Sequence, residues 1–238
     1  MYKGQSIQVI LPAFNESGKI GRAVQRIPRP LVDRVLVVDD GSTDGTAAEA
    51  EAAGATVIRN DRNLGVGAAI RSGIELAQRD GIALTGIIAG DDQDDPEELV
   101  RLATAIVEGG CEFVQGSRYL PGGRRLHQPV SRTVMTVGYS VIFSACVQRR
   151  ITDATNGFKL FRTEICKDWN LQQKWLDRYE LEPYLLYQAI RCGHRVCEVP
   201  VTKYYPPIRA VGYTKMKVWR DWWRISRPML LLTLRLRR

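Results

Sequence analysis

Residues 34–59 read RVLVVDDGSTDGTAAEAEAAGATVIR, and this stretch decides the fold. Arg34 to Val38 is a short β-branched run without polar alternation, which suits a strand buried on both faces. Thr46 to Ala53 is alanine-rich and helical, and Gly54 stops it. Thr56 to Arg59 is strand-like again. Strand, helix, strand within so few residues is the repeating unit of a parallel sheet, because parallel neighbours need a crossover.

The same alternation continues outward. Ile7 to Phe14 is an apolar run closed by a turn, and Ser17 to Ile27 has helical spacing. Gly65 to Arg79 is a predicted helix with small residues where it would pack closely. Leu84 to Ala89 and Phe113 to Gly116 are further strands. Pro96 stands where a first helical turn tolerates it, with Glu97 and Glu98 suited to a helix start. The class is therefore α/β, a mainly parallel sheet with flanking helices. The second half reads as a Gly/Arg-rich loop (Gly122 to Gln128), a long helix (Ser131 to Val147), a short strand (Gly157 to Phe161), a helix (Glu180 to Cys192) and an alternating strand (Arg195 to Tyr204).

Composition narrows the function. The chain has 238 residues and a formal net charge of +8, which calls for an anionic partner. The five cysteines are an odd number without the spacing of a zinc knuckle or redox pair, and read as idle or buried thiols in a reducing compartment. With His127 and His194 as the two histidines, a histidine-rich metal site is excluded. No signal peptide and no bilayer-spanning apolar stretch are expected.

Ligands of open α/β sheets bind at the carboxyl ends of the strands. Those ends read Pro12-Ala13-Phe14-Asn15-Glu16, Asp39-Asp40-Gly41-Ser42, Arg59-Asn60, Gly90-Asp91-Asp92-Gln93-Asp94-Asp95 and Gly116-Ser117-Arg118-Tyr119. Acidic and amide groups suit a ribose, a base N–H or a hard cation. The absence of Gly-x-Gly-x-x-Gly and of a Walker lysine argues against dinucleotide and P-loop sites. The GDDQDDP run of residues 90–96 is the strongest signal: crowded carboxylates repel unless a cation joins them, and Mg²⁺ or Mn²⁺ shares oxygen ligands with substrate phosphates. Asp94 and Asp95 also suit helix capping.

VILPAFNES, VVDDGSTDGT, RNLGVGAAIRSGIELA, GDDQDDPEEL, GSRY and TNGFKLF occur in this order. Together they resemble family-2 glycosyltransferases of the GT-A (Rossmann-like) fold, and especially the dolichol-phosphate mannose synthase branch with its bacterial polyprenyl-phosphate relatives. The resemblance covers roughly residues 7 to 215. It implies a catalytic domain over residues 1–215, with a nucleotide-sugar half (1–120) and an acceptor half (121–215). By the same resemblance Pro12, Phe14 and Glu16 line the nucleoside pocket, and Asp40, with Val38 beside it, holds the base edge. Gly90, Asp91 and Gln93 match the metal-and-donor loop, with Asp91 and Gln93 as the metal residues. Arg118 and Arg132 match positions near the phosphates, and Lys215, assisted by Arg209, a mobile lid. Asp153 and Glu182 match acidic residues on the acceptor side. The chain departs from the family's Asp-x-Asp, having Ala89-Gly90-Asp91.

The implied reaction is inverting transfer from a UDP- or GDP-sugar, with Asp91, Arg118, Arg132 and Lys215 acting on the leaving diphosphate. A lipid-phosphate acceptor is ionised and needs no strong base. A saccharide hydroxyl would need Asp153 or Glu182 to take its proton, with Asp153 the better placed beside Gly157. A nucleotide-binding membrane module without catalysis is the alternative that Ala89 raises. Residues 216–238 form a tail in which Trp219, Trp222 and Trp223 interleave with Arg220, Arg224 and Arg227. That is the composition of an interfacial amphipathic helix on the cytosolic side of a membrane. Neither an RNA-binding sheet motif nor a recognition helix is present, so no nucleic-acid partner is expected.

Overall fold

In the computed structural model, residues 1–205 are described. The expected tail, Arg209 and Lys215 lie outside them. The alternating runs become strands β1 (Ile7–Ala13), β2 (Arg34–Asp39), β3 (Thr56–Arg59), β4 (Leu84–Ile87) and β5 (Phe113–Ser117). Between them lie helices α1 (Ile20–Gln25), α2 (Thr46–Ala52), α3 (Val66–Arg79) and α4 (Leu99–Val107). The acceptor half adds β6 (Arg124–Leu126), α5 (Val130–Val147), β7 (Lys159–Arg162), α6 (Leu181–Arg191), β8 (Val196–Pro200) and β9 (Thr202–Tyr204).

Seven strands form one sheet in the order β3-β2-β1-β4-β7-β5-β8. All pairings are parallel except those of β7, which runs antiparallel to both β4 and β5. Alternate side chains of each strand face opposite layers. Val35 and Val37 join Ile7, Val9 and Leu11 in a core roofed by α1, α2 and α4. Leu36 and Val38 join Ile10 in the other, under α3, α5 and α6. The near-continuous apolar character of these strands is thus explained by a helical layer on both faces. Gly73 lets α3 lie close on β1, since a Cβ there would stand 2.7 Å from Cδ1 of Ile10.

Four expectations are corrected. The Gly122–Gln128 loop contains strand β6, which pairs in parallel with β9 in a separate two-stranded sheet. The predicted strand Arg195–Tyr204 is two strands, because Pro200 has no N–H to extend the ladder and the chain turns there onto β6. Helix α5, of 18 residues, is long and apolar enough to cross a membrane, although no such stretch was expected. One side of it, Tyr139, Phe143 and Val147, belongs to the core.

The fourth correction concerns the cysteines. Cys111 and Cys197 form a disulfide, with Cα atoms 6.1 Å apart and the two residues 86 positions apart in sequence. Sequence spacing could not reveal it, because the pair is created by the β5–β8 register, in which Val114 faces Cys197. The bond staples the edge strand to the sheet. Cys197→Ser, or reduction of the wild type, should lower the unfolding free energy by up to roughly 4 kcal/mol on the loop-closure argument. Urea titration with and without a thiol reductant reads this directly; identical midpoints would mean the ladder alone holds the edge.

Candidate active site

The carboxyl ends of β1, β2 and β4 open on one edge of the sheet, and the loops there are tied to one another by side chains. Asn15 is tied to the turn after β2 by two bonds: Asn15 N donates to Ser42 Oγ, and Thr43 N to Asn15 Oδ1, each 2.9 Å. Glu16 N donates to Thr46 Oγ1 and the Glu16 carboxylate pairs with Lys19 at 3.0 Å. Pro12 stands opposite Val38 in register. Gly90 passes so close to β1 that a Cβ would lie 3.0 Å from the Pro12 carbonyl oxygen. Pro12, Phe14, Val38, Asp40, Gly90 and Asp91 are thereby gathered at one edge, as the sequence order implies.

Asp40 is buried, and its carboxylate accepts from Asn60 Nδ2 (2.9 Å), Leu64 N (2.9 Å) and Gly65 N (2.7 Å). A carboxylate has about four lone-pair sites, so most of this one's accepting capacity shapes the loop leading into α3. Asp39 beside it is fully buried. One oxygen accepts from Ser42 N, and the other has no hydrogen-bond partner among the described residues, with the Arg59 guanidinium 3.4 Å away. The sequence reading gave Asp39 no role. Its strand-end position was the available signal.

The acidic loop is resolved largely by the chain's own cations. Asp92, in a left-handed conformation (φ 59°), meets Arg22 at 3.0 Å and Arg26 at 3.3 Å. Asp95 meets Arg26 at 3.0 Å, and Asp94 meets Lys203 at 2.9 Å. Asp91 has no such ion pair among the described residues; one of its oxygens accepts from Gln93 N at 3.1 Å. Burial raises the Asp91 carboxyl above the usual carboxylate range, and Asp94 and Glu16 add to this, while Lys203 pulls it back. Of the two expected metal residues, Asp91 thus presents a carboxylate in need of a cation. The described residues hold no cluster of three His, Cys, Asp or Glu side chains fit for a metal. One carboxylate fits Mg²⁺ or Mn²⁺ where substrate phosphates and waters complete the coordination.

Arg118 and Asp153 find each other. Arg118 Nε and Nη2 donate to the two Asp153 oxygens at 2.6 and 2.7 Å, a bidentate pair buried at 4% and 0% exposure. Arg118 also donates to Thr155 Oγ1 and the Tyr205 hydroxyl. Arg132, near the start of α5, lies over the Tyr205 ring, 5.0 Å from its centre. Burial raises the Tyr205 phenol, against the pull of Arg118, Lys203 and Arg132. Glu182, in the first turn of α6, pairs with the buried Lys159 at 3.1 Å. The two acids expected to face an acceptor therefore each have a cation of the chain as partner.

A doubly wound sheet with acidic and amide groups at its strand ends, and no glycine-rich phosphate loop, has the architecture of GT-A glycosyltransferases. The glycosyl transferase family 2 model matches residues 8–169, and the chain belongs to that family. The polyprenol monophosphomannose synthase of Mycolicibacterium smegmatis is 32% identical over 220 residues, covering 89% of this chain and 81% of that protein. A UDP-N-acetylglucosamine–dolichyl-phosphate N-acetylglucosaminyltransferase from Methanococcus voltae is 26% identical, covering 84% and 86%. Among solved structures, Mycobacterium tuberculosis glucosyl-3-phosphoglycerate synthase in complex with Mn²⁺, UDP and glucosyl-3-phosphoglycerate superposes with a TM-score of 0.73 at 19% identity, covering 97% and 80%.

Proposed function

We propose that this chain is an inverting glycosyltransferase that moves a sugar from a UDP- or GDP-sugar to a polyprenyl phosphate at the cytosolic face of a membrane. The observation that carries the reading is Asp91, the aspartate of the 91–95 run that has no ion pair among the described residues, at the strand edge that GT-A enzymes use. The relatives' names, a polyprenol monophosphomannose synthase and a dolichyl-phosphate N-acetylglucosaminyltransferase, support the lipid. Mg²⁺ or Mn²⁺, when bound, supplies charge neutralisation at the donor diphosphate. Asp91, with Gln93 next to it, holds that cation. Pro12, Phe14, Glu16, Val38 and Gly90 shape the nucleoside pocket, and Asp40 offers its remaining lone pair to a base N–H. Arg132, with Arg209 and Lys215 from beyond the described residues, meets the phosphates. Residues 1–120 then serve the donor and 121–215 the acceptor.

A lipid phosphate attacks as an anion, so no group of the chain has to remove a proton. This agrees with Asp153 and Glu182 being held in ion pairs and disfavours a hydroxyl acceptor. Helix α5 supports a membrane surface besides the expected Trp/Arg tail of residues 216–238. Val130 (79% exposed), Val134 (66%) and Val141 (64%) form a stripe along it, more apolar area than a lone surface residue leaves. A groove of about 660 Å³ beside it is lined by Tyr119, Val137, Val141, Arg149 and Arg150 among others, apolar walls with cations such as an anionic amphiphile would use.

The test is transfer by purified full-length protein, with Mn²⁺ or Mg²⁺, a panel of UDP- and GDP-sugars, and polyprenyl phosphate in detergent. Metal-dependent glycolipid from one donor is expected. Nucleotide binding without product from any lipid or saccharide acceptor would favour the non-catalytic module that Ala89 raises.

A further inference from the structure

Strand β9 lies outside the main sheet, yet four consecutive residues, Thr202 to Tyr205, are each fastened to the site. Thr202 N and Oγ1 donate to the Glu98 carboxylate at the head of α4. Lys203 Nζ donates to Asp94 Oδ1 at 2.9 Å, and Tyr204 N to the Gln93 carbonyl at 2.8 Å. The Tyr205 hydroxyl accepts from Arg118. Asp94 in turn uses its second oxygen to accept from Ala89 N at 3.4 Å. Its carboxylate therefore joins the start of the 89–95 loop to β9, across the residue that the proposed metal needs.

Lys203 is the member of this set with a charge to contribute. Its side chain is 9% exposed, and that of Asp94 is fully buried. Two opposite charges at this depth stand or fall together, since removing one leaves the other without solvent or partner. We propose that Lys203 is a positioning residue for Asp91. By neutralising Asp94 it keeps that carboxylate turned away from the donor phosphates and holds the loop in the conformation that presents Asp91 alone. The lysine touches neither substrate nor metal in this scheme; it acts through its ion pair with Asp94, and its charge also reaches Asp91 without pairing with it. The proposal rests on the metal-and-donor reading of Asp91 given above, and it assigns a function to a residue no motif of the sequence marks.

The test is Mn²⁺ binding, followed by electron paramagnetic resonance on the full chain with UDP or GDP present, alongside nucleotide binding without metal. Lys203→Met should weaken Mn²⁺ binding about tenfold or more, leaving metal-free nucleotide binding within about threefold. The double variant Lys203→Met with Asp94→Asn, which removes both buried charges, should recover most of the Mn²⁺ affinity. Thermal unfolding of each variant separates this from simple loss of fold. Unchanged Mn²⁺ affinity in a folded Lys203→Met protein would overturn the proposal while leaving the metal reading intact. So would tighter binding, which would make Asp94 a ligand held in reserve, and so would failure of the double variant to recover. A wild type that binds nucleotide but no Mn²⁺ would instead remove the metal reading, and the proposal with it.

Discussion

Asp91→Asn should reduce sugar transfer by about a thousandfold, roughly 4 kcal/mol of transition-state stabilisation at 1.36 kcal/mol per decade. The side chain keeps its size, and the bond that Asp91 accepts from Gln93 N can be made by an amide oxygen. What disappears is the negative charge at the one aspartate of the 91–95 run that has no ion pair among the described residues. Asp92→Asn is the matched control. It removes the same charge from the same loop, but at a site already balanced by Arg22 and Arg26 at a partly exposed surface, where ion pairs are worth about 1 kcal/mol or less. Steady-state rates for the two variants, with Mn²⁺ varied, read the difference. Equal losses would mean that the loop acts as a diffuse acidic patch and that Asp91 has no special part.

Asp153→Asn should lower the unfolding free energy by roughly 3–5 kcal/mol, the cost of leaving a buried charge without its partner. Arg118 would lose the balancing charge and one of its two Asp153 acceptor oxygens, the other being replaced by an NH2 group that cannot accept, while Thr155 and Tyr205 remain. The guanidinium cannot respond by giving up its proton: with Asp153 beside it, it is held even above its usual range against the opposing effect of burial. Replacing both members, Arg118→Met with Asp153→Leu, should cost less than the single change, since no unpaired charge remains. Urea unfolding of single and double variants measures this. The result also decides between two accounts of Asp153. A proton acceptor for a hydroxyl substrate would lose activity on substitution while the fold kept its stability.

Much of the architecture is legible in the residues themselves. The β-branched run at Arg34 to Val38, the alanine-rich helix after it and the return at Thr56 to Arg59 appear as β2, α2 and β3 with ends within about a residue. Periodicity is a local property, and two-sided burial writes itself into each strand as an apolar run. The antiparallel insertion of β7 between β4 and β5 was not legible, because strand direction depends on where the chain re-enters the sheet. Nor was the Cys111–Cys197 bond, which exists only through the β5–β8 register. Nor was the division at Val201, although Pro200 was there to signal it.

The site divides in the same way. Motif order and strand ends determine by themselves that this is an α/β chain of glycosyltransferase family 2, and that Pro12, Asp40 and Asp91 belong to one edge, because those residues lie at or just beyond the carboxyl ends of parallel strands. What the carboxylates do was decided only by the folded chain. Four aspartates within five residues look alike as letters, yet Arg22, Arg26 and Lys203 come from up to 109 residues away to neutralise three of them. Charge pairing depends on distance in space and on burial, and neither is encoded in spacing along the chain. For the same reason Arg118 and Asp153, read from the sequence as two separate contacts to substrate, emerge from the tertiary structure as partners of each other.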